Sequence, residues 1–368
     1  MTTTDRRSFP IVRASGDPDQ RGRAYGQQAR ALIHQSISGY EDVFRHYAGW
    51  DWATVRQRAS RFAAPIAEFS PASFREIAAI AEGANVEVAD ILALNTRSEI
   101  MFAASPRSRE VLATECTSFA LLPERTAGDR LLAGQNWDWI EGARATALVL
   151  EVRRDDGPNF VSVVEAGMLA KVGVNSSGVG LCTNTLISDG AEGQLAVPYH
   201  VLLRSVLDSE RGREAVDRIR STPRANSANY LVTDDGGFCV DLETSTGEGS
   251  NELLPQDGAI THANHFVSPG LTGEDRYLQR KRHTTDRLRN VSASVRATRR
   301  HHEADLRRLL ADHRDAPNSV CQHPNPDVPA PERTCTVAGV IIDVEARSMA
   351  YSAGSPCEAP WARHEVTS

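Results

Sequence analysis

The chain has little cysteine: Cys116, Cys182, Cys239, Cys321, Cys335 and Cys357 are its six, widely spaced and without a Cys-x-x-Cys pair. That pattern excludes a dense disulfide framework and does not suggest a zinc knuckle, so reduced thiols in a cytoplasm are expected. Long apolar runs are also missing. No stretch reaches the length needed to cross a bilayer, and the first ten residues lack the apolar core of a secretory leader, so no membrane partner is expected. Neither charge is gathered into a long block: Lys plus Arg number 41 against 48 Asp plus Glu, a net charge of −7, which makes nucleic acid a poor partner. Internal repeats and low-complexity tracts are absent. What remains is a 368-residue chain, 40% hydrophobic, able to bury a large core as one big integrated domain or two intimate ones and suited to a small-molecule or peptide-like substrate.

The first third has helical patterning. Apolar positions recur at helical spacing over 18–49 (Ala24, Ala29, Leu32, Ile33, Ile37, Tyr40, Phe44) and again over 52–68, 72–83 and 87–96, with Asp51, Ser70 and Asn85 near the three starts. The stretch 103–110 then has the small and charged residues of an exposed linker and ends just before Cys116. Beyond it, strands are expected at 117–123, 131–136, 147–153, 160–165 and 179–186, and later at 229–233, 237–243 and 259–263. A helix at 197–221 interrupts them, two more follow at 274–294 and 302–313, and a hairpin over 334–344 and 348–352 closes the chain. The glycines of 173–180 read as a turn. This order argues for an α+β layered architecture rather than alternating β-α-β units.

Cys116 carries the chemistry. A thiol reacts as thiolate, and a cysteine made N-terminal by cleavage of the bond before it has a local base in its own α-amine. Thr117, Ser118 and Phe119 lead from it into a strand, and Gly134-Gln-Asn-Trp-Asp138 is placed to return beside it. Asp138 is positioned to hold the amine, with Asn136 supporting neighbouring polar groups.

Glu115-Cys-Thr-Ser-Phe119, Gly134-Gln-Asn-Trp-Asp138, 165–179, Val197-Pro-Tyr-His200, Thr261-His-Ala-Asn-His265 and Glu332-Arg-Thr-Cys-Thr336 together resemble the acyl-coenzyme A:6-aminopenicillanic acid acyltransferase family, peptidase C45 relatives within the N-terminal nucleophile hydrolases. The resemblance runs from about Gly16 to Pro356. It implies an αββα four-layer sandwich, two antiparallel sheets face to face between helical layers, with a helical N-terminal segment. It implies self-cleavage between Glu115 and Cys116, giving a helical 1–115 chain and a 116–368 chain that stay associated. By the same resemblance Cys116 is the nucleophile, Asp138 orients its amine, Asn264 serves the oxyanion and Arg333 stands near the cysteine, with Asn184 as a second polar contact. Two positions depart from the family: Glu115 replaces a glycine, and Glu332 replaces a serine, where it is expected to pair with Arg333 or to select a cationic substrate group. The activity expected first is hydrolysis of a small N-acyl amide or amino-acid amide through a thioester. Acyl-coenzyme A-dependent N-acyl transfer is the alternative, and an unprocessed small-molecule-binding scaffold is the non-enzyme rival.

No cofactor is called for. His262 and His265 are three apart but lack a third ligand nearby, so no metal is expected. Arg276, Arg280 and Arg282 read as a solvated helical face.

Overall fold

The computed structural model of the protein describes residues 8–104, 116–188, 194–269, 275, 278 and 283–367. Arg276, Arg280, Arg282 and Glu115 lie outside the described residues.

The strands in chain order are β1 (Ile11–Gly16), β2 (Thr117–Leu121), β3 (Leu132–Ile140), β4 (Ala147–Arg154), β5 (Phe160–Glu165), β6 (Val172–Asn175), β7 (Gly180–Thr185), β8 (Ala228–Thr233), β9 (Cys239–Thr244), β10 (Ser250–Leu253), β11 (Ala259–His262), β12 (Thr334–Asp343), β13 (Ser348–Ser352) and β14 (Trp361–Glu365). They form an eight-stranded sheet, β1-β4-β5-β6-β7-β8-β9-β10, and a six-stranded sheet, β11-β2-β3-β12-β13-β14. The sheets face each other through β2, β3, β12 and β13 on one side and β6, β7 and β8 on the other. Helices Tyr199–Leu207 and Gly212–Arg220 cover the larger sheet, and His283–Ala297 and Glu303–Leu310 cover the smaller. The layering is therefore helix, sheet, sheet, helix. The expected α+β sandwich is observed, with one difference: β1 joins β4 in parallel, Ile11 opposite Val149. Its six residues, alternately exposed and buried, were too short a signal to stand out in sequence.

Local chemistry explains the boundaries. Ser70 and Asp51 cap helix starts, accepting from the backbone N–H of Ser73 and Thr54. Asn85 instead closes the preceding helix, Pro71–Ala84, in the left-handed conformation (φ 57°), a role open to asparagine because it tolerates that region. The expected helix over 197–221 is broken at 208–211, and the turn expected within 173–180 joins β6 to β7, both fully buried. Gly134 on β3 admits no side chain: a Cβ there would lie 2.7 Å from both Phe119 Cζ and Val340 O. Glycine lets β2 and β12 close on β3 just before the Asn-Trp-Asp cluster.

A buried ionic knot fixes the helical front segment to the rest. Glu76 accepts from Arg21 Nε at 2.6 Å and from Arg204 Nη1 and Nη2 at 2.8 Å, all three side chains being almost fully buried. Arg204 also reaches Asp208 at 2.7 Å, and Arg21 reaches Asp156 at 2.8 Å. Burial opposes ionisation of Glu76, but the two guanidiniums outweigh it and hold its carboxyl below the usual range. Removing one partner would strand buried charge, so Glu76→Ala is expected to cost about 3–5 kcal/mol in urea denaturation. Removing the exposed Arg23–Glu82 pair should leave the midpoint unchanged.

Candidate active site

Cys116 ends the entry into β2 and is buried, its thiol 3.9 Å from the carbonyl oxygen of Asp138 on β3. The hairpin expected from sequence brings these two together through the register of β2 and β3, in which Thr117 lies opposite Asn136. Side chains on β2 alternate, so Thr117 and Phe119 face the outer helices while Ser118 faces the second sheet. Ser118 Oγ donates to Asn184 Oδ1 at 2.6 Å, and Gln135 Oε1 accepts from the Thr183 N–H at 2.6 Å. These two bonds stitch the sheets together beside the cysteine.

On the outer side, Arg287 of helix His283–Ala297 is completely buried. Its Nη1 donates to Cys116 O at 2.7 Å and Thr117 Oγ1 at 2.9 Å, and its Nη2 donates to Asn264 Oδ1 at 3.1 Å. Asn264 follows β11; its backbone N–H donates to Thr284 Oγ1 at 2.9 Å and its Nδ2 to Thr185 O at 2.9 Å. With Oδ1 fixed by Arg287 and one Nδ2 hydrogen spent, the second Nδ2 hydrogen has a defined direction. Asp138 Oδ1 accepts from Thr336 Oγ1 at 2.6 Å.

The expected site residues therefore divide. Cys116, Asp138 and Asn264 meet around the start of β2, and Asn184 joins them through Ser118. The Asn184 Nδ2, Gln135 Nε2 and Trp137 Nε1 donors are buried without a hydrogen-bond partner among the described residues, as donors awaiting a polar ligand would be. Asn136 does not join them: both its amide hydrogens go to Leu310 O at 2.8 Å and Val320 O at 2.7 Å, which clips the sheet to the end of helix Glu303–Leu310 and to the loop that follows it. Arg333 binds Val328 O at 2.7 Å and Pro326 O at 3.0 Å, with Glu141 at 3.6 Å, so it shapes the proline-rich loop. Glu332 pairs with His46 at 2.7 Å rather than with Arg333. His262 is held by Glu243 at 2.8 Å and His265 by Thr284 at 3.0 Å, which ties each ring to its own protein partner.

Two functional candidates escaped the sequence reading. Arg287 sits in a charge-rich helix whose burial the pattern did not reveal. Lys171 is the other, 2% exposed, its ammonium 5.1 Å from the Trp137 ring centre and 5.6 Å from that of Tyr199. The signal was available: a lone lysine inside the apolar run Met168-Leu-Ala-Lys-Val172 has no solvated face to occupy. Burial lowers the Lys171 pKa to about 8, opposed by attraction to Cys116 and Glu165 and reinforced by Arg97. Burial likewise pushes the Cys116 thiol up, and Lys171 is the foremost influence pulling it back. Behind Lys171, Glu165 is gripped by Arg97 at 2.7 Å and Tyr40 at 2.8 Å, and Tyr40 accepts from Trp139 Nε1 at 2.7 Å.

The double-sheet sandwich thus carries a buried cysteine at the head of an inner strand, with an amide donor beside it and buried cations around it. A model of the acyl-coenzyme A:6-aminopenicillanic acid acyl-transferase family matches residues 125–358, and the chain belongs to that family. It is accordingly an enzyme of an acyl-transfer family. The matched span begins after Cys116. The acyl-coenzyme A:6-aminopenicillanic-acid-acyltransferase 40 kDa form of Emericella nidulans is 27% identical over 256 residues, 70% of this chain and 69% of that protein. Two solved structures overlap in part. Penicillin V acylase from Agrobacterium tumefaciens covers 65% of this chain and 83% of its own, at 14% identity and a TM-score of 0.43. A mutant conjugated bile acid hydrolase from Clostridium perfringens covers 68% and 97%, at 12% identity and 0.45. No described helix is long and apolar enough to cross a membrane.

Lys171 yields a test with a definite sign. Its folded pKa lies below its unfolded value, so between about pH 8 and 10.5 the unfolded chain binds the extra proton and stability rises with pH. Below pH 8 the full burial penalty applies. Lys171→Met is expected to stabilise the protein by about 1–3 kcal/mol at pH 7, a gain that fades above pH 10, while reducing turnover. Denaturation at the two pH values checks it; a loss of stability at pH 7 would contradict it.

Proposed function

We propose that this chain is a self-processing cysteine N-terminal nucleophile amidohydrolase that acts on a small N-acyl amide or amino-acid amide. The observation that carries the reading is the Arg287 fork, which ties the Cys116 carbonyl and the Asn264 amide to one rigid cation. Breaking the Glu115–Cys116 bond frees an α-amine on the nucleophile, with Asp138 as its orienting partner. That amine takes the thiol proton, and the sulfur attacks the substrate carbonyl. The oxyanion is met by the free Asn264 Nδ2 hydrogen, a donor already aimed and so requiring no reorganisation. The Cys116 ammonium then gives its proton to the leaving amine, leaving a thioester. Water, activated by the same amine, adds to the thioester carbonyl and releases the acid and the thiol. Asn184 Nδ2 is a candidate contact for a second substrate polar group.

The cut pieces, 1–115 and 116–368, would remain one body. β1 belongs to the first and pairs with β4 of the second, and Glu76 of the first is held by Arg204 of the second. A second reading, transfer of an acyl group from acyl-coenzyme A to an amine, is favoured by the activity named for the Emericella nidulans relative. It differs only in which molecule donates the acyl group and which resolves the thioester.

Freshly made protein is expected to resolve by intact mass into pieces of 115 and 368 − 115 = 253 residues. Cys116→Ala should leave it whole and inactive; an uncut, active chain would overturn the proposal. Asn264→Ala introduced into the cut enzyme is expected to lower kcat by about 10²–10³ while leaving the thiol reactive to alkylation. Competing water and an amine acceptor for one acyl-coenzyme A, and following free acid against N-acyl product, separates the two readings.

A further inference from the structure

Four side chains from three separated segments converge on the flank of the smaller sheet. His313 lies beyond helix Glu303–Leu310, Cys321 and His323 lie in the loop before β12, and Cys357 lies between β13 and β14. Their ligating atoms all fall within 4.8 Å of one another. Cys321 Sγ is 3.6 Å from Cys357 Sγ, the two histidine Nε2 atoms are 3.1 Å apart, and Cys357 Sγ is 3.3 Å from His323 Nε2.

We propose that His313, Cys321, His323 and Cys357 form a closed tetrahedral site for zinc. With ordinary zinc–sulfur and zinc–nitrogen bonds, a tetrahedron has edges of about 3.8 Å between sulfurs, about 3.3 Å between nitrogens and about 3.6 Å between sulfur and nitrogen. The three observed edges keep that order, each within a few tenths of an ångström. Other accounts of the cluster fit less well. A disulfide would need the sulfurs at about 2.05 Å and would leave two imidazoles aimed at it without purpose. Thiols are weak donors, so hydrogen bonding alone gives little reason to gather this set. Two thiolates and two imidazoles select zinc over calcium or magnesium. Entry is open, since Cys321 is buried while the other three ligands are exposed. His323 also turns Nδ1 toward Glu358 at 3.5 Å, the carboxylate that commonly orients a metal-bound imidazole. Binding would release the two thiol protons, and the two thiolates would neutralise the dication.

Four protein ligands leave no position for substrate, so the ion's role is structural. Gln322, between two ligands, donates its N–H to Thr336 Oγ1 at 2.9 Å and accepts from the Thr336 N–H at 3.1 Å. Thr336 Oγ1 is the group that donates to Asp138. Ser355, two residues before Cys357, donates to Gln322 O at 3.1 Å. The ion thus pins the loop that backs Asp138. This link to activity rests on the proposed role of Asp138, whereas the site itself does not. Sequence reading missed it because only Cys321 and His323 are close in the chain, and no spacing rule joins them to residues 313 and 357.

The test is metal content of the full chain purified without chelator. About one zinc per chain is expected, falling to near zero in Cys357→Ser and His313→Ala, both at exposed positions. Cobalt substituted into the wild-type chain should give the intense visible bands of a tetrahedral thiolate site, a readout that needs no variant. Equal zinc in wild type and variants, or a Cys321–Cys357 disulfide found by mass after alkylation, would overturn the site. Turnover is read separately: zinc-free protein should lose activity several-fold, and unchanged turnover in protein shown to bind zinc would overturn the link to Asp138 alone.

Discussion

The site depends on one guanidinium. Arg287 is fully buried and spends its planar fork on Cys116 O, Thr117 Oγ1 and Asn264 Oδ1, which binds the head of β2 to the loop after β11. A lysine there would offer a point charge without the paired geometry.

That frame sits in a region where the fold accepts cost. Lys171 is buried against Trp137 and Tyr199, and Arg97 and Glu165 are buried beside it. Such groups destabilise unless paired, and the apolar double-sheet core supplies the surplus that keeps them in place. The return is electrostatic: a thiol whose ionisation burial opposes is given a nearby cation, in a medium that does not screen it. Stability is thus lost where reactivity is gained, a trade-off that recurs at active sites.

The parts of this arrangement that are local in sequence were legible in advance. Cys116, the returning Gly134-Gln-Asn-Trp-Asp138 strand and Asn264 follow from short motifs, and strand alternation with the stop signals around it located most of both sheets. The parts that depend on tertiary burial were not. Arg287 looked like any charge on a charged helix, and Lys171 was hidden inside an apolar run. Arg333 and Asn136 show the reverse: expected near the cysteine, the first by resemblance and the second by the hairpin spacing, they have their side-chain donors committed to backbone carbonyls elsewhere. The Cys-His cluster is the extreme case, since its members come together only after three loops have packed.

The most direct measurement is the mass of the piece beginning with Cys116, quenched in acid within the first turnover of a slow amide substrate. An acyl increment on Cys116, removed by hydroxylamine as a thioester is, is the result predicted. Steady turnover with that peptide unmodified at every time point, or an acyl group on another residue, would contradict the account.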